Sequence, residues 1–317
     1  MTTAGVIPAP DRLRGDGTRA AYPHTTGHVE REGVRSYYEV YGDGDTTIFF
    51  LPTWSLVHSR IWKAQIAYFA RHHRVLVMDG RGNGRSDRPL DAAAYAPWEF
   101  SADALAVMDA TGTERAVLVS TSLGTFWNLL LSAGSPERVV ASCLTGPVYP
   151  LREPFPDWAL TPFNDRLDGR GGANHYNRHF IRDHYVDFAV WWAEMCLPEH
   201  HSTRPLEFTL DMALDTTPEV ILATMDAGLS DHGTMADAMR AAGPLLREAA
   251  KRVQCPALVV EGAQELITPR HWAEALAEDL GGELFMMGDA GHAPQARRPV
   301  AYNLKLRSFV ERVTAGA

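Results

Sequence analysis

The segment Val117-Leu-Val-Ser-Thr-Ser122-Leu-Gly-Thr125 compresses the end of an apolar run, a tight turn and the start of a helical stretch into nine residues. The run from Ala116 to Val119 stops at Ser120-Thr121-Ser122-Leu123-Gly124, and Phe126-Trp-Asn-Leu-Leu-Leu131 follows with helical character. A strand that turns directly into a helix lifts one side chain proud of a sheet edge. The turn forces that residue into a strained backbone, which is tolerable only when the residues two away on either side are small. Here those neighbours are Ser120 and Gly124. Ser122 is therefore presented as a hydroxyl, and the segment demands a sheet with helices behind it.

The flanking sequence supplies them. Val29–Val34 and Arg35–Tyr41 read as two strands around the turn signal Glu32-Gly33. Thr47–Leu51 and Val75–Met78 are continuous apolar runs fit for strands buried on both faces. Ile61 to Arg71 has helical spacing, with Trp62, Ile66 and Phe69 on one side, and Phe100 to Ala110 forms the next helix. The Ser122 turn and a strand from Val139 to Leu144 come next. After a break, the rhythm resumes with strand Ala257–Glu261, helix Pro269–Asp279, strand Glu283–Met287 and a closing helix from Val300 to Val313. Alternation of this kind predicts an α/β fold: a mostly parallel sheet with helices on both faces. Between about Pro147 and Gly243 no short apolar strand appears, and residues 174 to 196 are helical in pattern and rich in His, Trp, Tyr and Phe.

Composition narrows the function. At 317 residues the chain is long for one domain but suits a core with an insertion. A net charge of −9 argues against nucleic acid and anionic membranes as partners. Cys143, Cys196 and Cys255 are scattered and odd in number, so they read as reduced hydrophobes rather than a disulfide frame or zinc site. Residues 1–26 carry Pro and Gly between charges without an apolar core, a loose leader rather than a signal peptide. No run approaches the ~18 apolar residues of a membrane span. A soluble, cytoplasmic protein acting on a small molecule is expected; its oligomeric state is open.

Four further stretches, taken with the Ser122 turn, carry a resemblance. They are Trp62-Lys-Ala-Gln65, Asp79-Gly-Arg-Gly-Asn-Gly-Arg-Ser86-Asp-Arg-Pro89, Pro256-Ala-Leu-Val-Val-Glu-Gly262-Ala-Gln-Glu265 and Gly288-Asp-Ala-Gly-His292-Ala-Pro. In this order and spacing the chain resembles the α/β-hydrolase superfamily, specifically its cap-bearing esterase, epoxide-hydrolase and C–C-hydrolase branch. The likeness runs over roughly residues 28 to 312 and is loose in the middle third. It implies a hydrolase core over 27–146 and 244–317, with 147–243 as a helical cap over the active site.

The resemblance also implies roles. The family motif around the nucleophile is G-x-S-x-G, and Ser120 departs from it while remaining small. A serine hydroxyl needs a base within hydrogen-bond reach, and His292, in a loop after the last strand, is the expected one. A carboxylate must then fix that base. Glu265 stands where the family usually has Asp, and Asp289 is the alternative. An oxyanion needs two amide donors. Leu123 is expected to supply one, and Trp54 the other if Pro52-Thr53 replaces the family's His-Gly pair.

The Gly-rich stretch from Asp79 to Ser86 does not read as a nucleotide site, since the residues after it do not open a helix as a dinucleotide turn requires. The resemblance implies that it buttresses the nucleophile turn, with Arg81 and Ser86 structural. His58 and Trp192 are possible pocket residues, although a helix-start role for His58 and a core role for the Phe188–Trp192 run compete. Glu199 with His200-His201 lacks a further ligand at matching spacing, so no metal is assigned, and no cofactor is expected. Serine in place of Asp disfavours dehalogenase and epoxide-hydrolase chemistry. Carboxylic ester hydrolysis leads, followed by C–C bond, lactone or thioester hydrolysis. Acyl transfer and a non-catalytic ligand receptor of the same fold are the rivals.

Overall fold

The computed structural model describes residues 21–169, 171–199, 202–229 and 232–315. Most of the expected leader, and His200-His201, therefore lie outside the described residues. The first two strands, β1 (Thr25–Arg31) and β2 (Val34–Tyr41), form an antiparallel hairpin. Glu32 and Gly33 both take positive φ, 51° and 77°, the turn geometry that matches the twist of a two-residue hairpin. The chain then lays down β3 (Thr47–Phe50), β4 (Arg74–Met78), β5 (Ala116–Thr121), β6 (Val139–Thr145), β7 (Ala257–Gly262) and β8 (Glu283–Met287).

The eight strands form one sheet in the order β1-β2-β4-β3-β5-β6-β7-β8, with β3 to β8 mutually parallel and β2 antiparallel to β4. Alternation along each strand decides which helices it meets. Ile48, Phe50, Val75, Val77, Val117 and Val119 pack with α1 (Lys63–Phe69) and α11 (Pro299–Thr314). Phe49, Leu76, Met78 and Leu118 face the other way, onto α2 (Pro97–Ala110) and α3 (Gly124–Gly134). Helices on both faces of a mostly parallel sheet are what the strand–helix alternation predicts.

Between β6 and β7 the described residues form helices and no strand of the sheet. The α-helices are α4 (Arg178–Asp183), α5 (Tyr185–Cys196), α6 (Arg204–Ala213), α7 (Pro218–Leu229) and α8 (Met235–Arg252). α8 runs through Gly243-Pro244 and leads directly towards β7. α9 (Arg270–Leu280) and the short α10 (Pro294–Arg297) complete the set. None of the described helices is long and apolar enough to cross a membrane.

The Gly-rich stretch after β4 is a buried brace. Arg81 is 1% exposed and donates to both carboxylate oxygens of Asp103 at 2.6 and 2.9 Å. Ser86 donates to the Asp79 carbonyl and accepts from the Tyr37 amide. Asp103 also receives Ser36 Oγ and Arg31, so one carboxylate joins the hairpin, the loop and α2. Removing one member of a buried pair strands the other charge. Asp103→Ala is expected to cost about 3–5 kcal/mol, read as a lower urea unfolding free energy.

Candidate active site

The expected triad residues and the Thr53-Trp54 pair lie at the carboxyl ends of parallel strands of the sheet. Ser122 follows β5, Glu265 follows β7, His292 follows β8, and Thr53-Trp54 follows β3. This is the edge at which open α/β sheets gather their ligands.

Ser122 takes φ of +53°, a conformation that side chains other than glycine rarely adopt. Its amide donates to the Thr145 carbonyl at 2.8 Å, and its carbonyl accepts from both the amide and the hydroxyl of Thr125. Gly124 opens α3 directly beneath the loop after β3, where an added Cβ would collide with the Pro52 carbonyl. Ser120, on the other side, is fully buried, and the protein has built a polar niche for its hydroxyl. Asn128 Nδ2 donates to Ser120 Oγ at 3.0 Å, while Asn128 Oδ1 accepts from Ser132 and Ser142. That network explains how a serine can stand where the resembling family has glycine.

His292 is 5% exposed, and its Nδ1 lies 2.7 Å from Glu265 Oε2. The other carboxylate oxygen of Glu265 accepts the Ile267 amide at 2.6 Å. With both oxygens engaged, the carboxylate is fixed in place and fixes the ring in turn. Gly262 and Gly146 make room: a Cβ at the first would strike the carbonyls of Ala290 and Gly291, and one at the second would crowd the imidazole. Asp289 is excluded as the partner of His292, because its side chain is 77% exposed and pairs with Arg298. His292 Nε2 has no hydrogen-bond partner among the described residues.

The His292 loop is also held by the insertion. The His292 amide donates to the Cys196 carbonyl at 3.0 Å, and the Gly291 amide donates to Glu199 Oε1 at 2.6 Å. Glu199 is paired in turn with buried Arg297. The amides of Leu123 and of Thr53, Trp54 and Ser55 donate to nothing in the protein among the described residues, so donors are available beside Ser122. The Trp54 side chain does more than fill space. Its indole N–H donates to Thr224 Oγ1 of α7 at 2.7 Å, and its ring meets Trp192 edge-on at 5.3 Å.

Two cavities flank Ser122. The larger, about 350 Å³, is walled by Trp54, Phe126, Trp158, Tyr176, Met239 and Leu246 among others, with no Lys, Arg, Asp or Glu among its described lining residues. The smaller, about 50 Å³, is lined by Ser122 together with His292, Thr53 and Gln295. Trp192 lines both. His58 lines neither: its Nδ1 caps the turn Ser59–Trp62, its Nε2 lies 3.4 Å from Asp215, and burial pushes its imidazole pKa down. Among the described residues, no cluster of three or more His, Cys, Asp or Glu is placed to hold a metal.

One functional-looking group escaped the sequence reading. Glu261, at the end of β7, is fully buried, and neither carboxylate oxygen has a hydrogen-bond partner among the described residues. Burial, and then the charge of Glu265, raise its pKa well above the usual carboxylate range. The unfolded chain loses this proton near pH ~4.3 while the folded protein keeps it, so stability falls as pH rises between the two pKa values. Glu261→Gln removes that titration. The variant is expected to gain about 1.4 kcal/mol on wild type per pH unit across that window, measured by urea unfolding at pH 5 and pH 7. Parallel pH profiles for the two proteins would show Glu261 to be ionised in the native state.

Several known proteins share this frame. A putative carbamate hydrolase RutD of Variovorax paradoxus is 28% identical, over 88% of this chain and 97% of its own. A pimeloyl-[acyl-carrier protein] methyl ester esterase of Pectobacterium carotovorum is 24% identical, over 87% and 98%. The solved structure of Est816, described as an N-acyl homoserine lactone degrading enzyme, superposes with a TM-score of 0.71 at 29% identity, covering 89% of this chain and all of that one. The family model of the alpha/beta hydrolase fold matches residues 46–299, and the chain belongs to that family.

Proposed function

We propose that the protein is a cofactor-free serine hydrolase that cleaves carboxylic esters of apolar acids through an acyl-enzyme. The observation that carries the reading is the wall shared by Ser122, on its strained turn, and His292, paired at 2.7 Å with Glu265. In this reading His292 Nε2 takes the Ser122 proton and Glu265 stabilises the imidazolium. The Leu123 and Trp54 amides hold the oxyanion, and the helical insertion serves as the cap. The acyl chain occupies the larger cavity, whose largely apolar wall, without Lys or Arg among its described lining residues, suits an aliphatic or aromatic acid. The hydrolase and esterase names of the relatives support the reaction class. The likeness to Est816 favours lactones as a second reading, in which the leaving alcohol stays tethered to the acyl group.

A fluorophosphonate probe is expected to label Ser122 alone, and Ser122→Ala to abolish the label. Label on Ser120 would overturn the assignment. Glu265→Gln is expected to lower kcat on an apolar acyl ester by about 10³–10⁴ while leaving the fold intact by circular dichroism. A variant with wild-type turnover would remove Glu265 from the mechanism.

A further inference from the structure

The smaller cavity is bordered by residues whose buried polar atoms are unsatisfied. Thr53 Oγ1, Gln295 Oε1 and His292 Nε2 are all buried without a partner among the described residues, and all three residues line this one space beside Ser122. Their exposures are 5%, 0% and 5%. Gln295 is held in place: its side-chain Nε2 donates to Thr121 Oγ1 at 3.4 Å, and its backbone carbonyl accepts from Gln65 Nε2 at 3.0 Å. Buried polar atoms without a partner cost about 1–3 kcal/mol each, so a group of them around one space points to an occupant. A water needs roughly 10–15 Å³ of such space and two to four polar partners. A cavity of about 50 Å³ therefore admits a few waters or one short alcohol, and no long chain.

We infer that this cavity is the leaving-group and water site, and that it restricts the substrates to esters of short alcohols such as methanol and ethanol. The inference rests on the serine-hydrolase reading above. In acylation Ser122 Oγ bonds to the acyl carbon and its proton passes to His292 Nε2. The C–O bond to the alkoxy group then breaks, and that proton returns to the departing alkoxide to give the free alcohol. The Thr53 hydroxyl donates to the alkoxy oxygen while this happens. Water then takes the vacated place: one O–H gives its proton to His292 Nε2, the other donates to Gln295 Oε1, and the Thr53 hydroxyl donates to the water oxygen. The water oxygen bonds to the acyl carbon, the C–O bond to Ser122 breaks, and the proton returns to Ser122 Oγ with release of the acid. Thr53 stands where the resembling family has glycine, which brings no hydroxyl, so this donor is a feature of the present sequence.

The test compares methyl, ethyl, n-butyl and n-hexyl octanoate on the full chain. Methyl and ethyl esters are expected to exceed the butyl ester by about tenfold or more in kcat/KM. A second readout is the partition of the acyl-enzyme formed from vinyl octanoate between water and added methanol, scored as octanoic acid against methyl octanoate. Thr53→Val keeps the volume and loses the hydroxyl. It is expected to lower kcat/KM on methyl octanoate by about tenfold and to shift the partition ratio, whereas Thr53→Ser, with the hydroxyl retained, holds both. If Thr53→Val does not fold, Gln295→Leu is read in the same way. Equal rates on methyl and butyl esters, or an unchanged partition ratio in the variants, would overturn the cavity assignment. Fluorophosphonate labelling run alongside separates the two levels. Without label at Ser122 the hydrolase reading fails and takes this one with it; with label, a flat alcohol series overturns the cavity assignment alone.

Discussion

The strained backbone at Ser122 is the constraint around which the site is built. A non-glycine residue at φ +53° costs on the order of 1–3 kcal/mol and persists only where its surroundings over-determine it. Here β5 is buried along its whole length, the Ser122 amide is tied to β6, and Thr125 grips the Ser122 carbonyl from the first turn of α3. The loop after β3 presses so closely on Gly124 that no side chain fits between them. Each of these contacts joins a different element to the same turn. The hydroxyl is therefore held by the sheet and by the start of a helix, and not by its own loop.

The parts of this arrangement that were legible in the sequence are those set by local pattern. Buried parallel strands read as unbroken apolar runs, and the strand–turn–helix around Ser122 announces itself in nine residues. Glu265 was legible because it keeps its frame between Gly262 and Pro269. The hydrogen bond to His292 then follows from two loops zipped together by Ala263 and Gln264 donating to Met287 and Ala290. Elsewhere the deciding partner lies far along the chain. Ser120 reads in sequence as a small departure from the motif, and its partner Asn128, itself held by Ser132 and Ser142, is placed only by the fold. His58 sits close to the site in sequence, yet it turns to cap a helical turn and meet Asp215.

The insertion was the least readable region, for a physical reason. Its helices bury aromatic rings against one another and against Trp54 rather than against a strand, so no period of two marks its limits. Gly243-Pro244, a natural place to read a break, falls inside α8. Gly243 is small there because a Cβ would press on the Pro150 carbonyl at 3.2 Å. Glu261 was hidden in the opposite way, as an acid within an otherwise apolar strand, where only three-dimensional burial reveals its unusual state.

Trp54 and Glu199 give the insertion two grips on the machinery beneath it. The indole of Trp54 reaches α7 through Thr224, and Glu199 reaches back to the Gly291 amide and to Arg297. The helical segment is consequently not a detachable module. A chimera whose grafted helices carried no hydroxyl at the place of Thr224 and no carboxylate at the place of Glu199 would leave Trp54 without its acceptor and Arg297 buried without its carboxylate. Recombination between members of this fold would have to carry positions 54 and 297 together with the helices, although both lie outside the exchanged block.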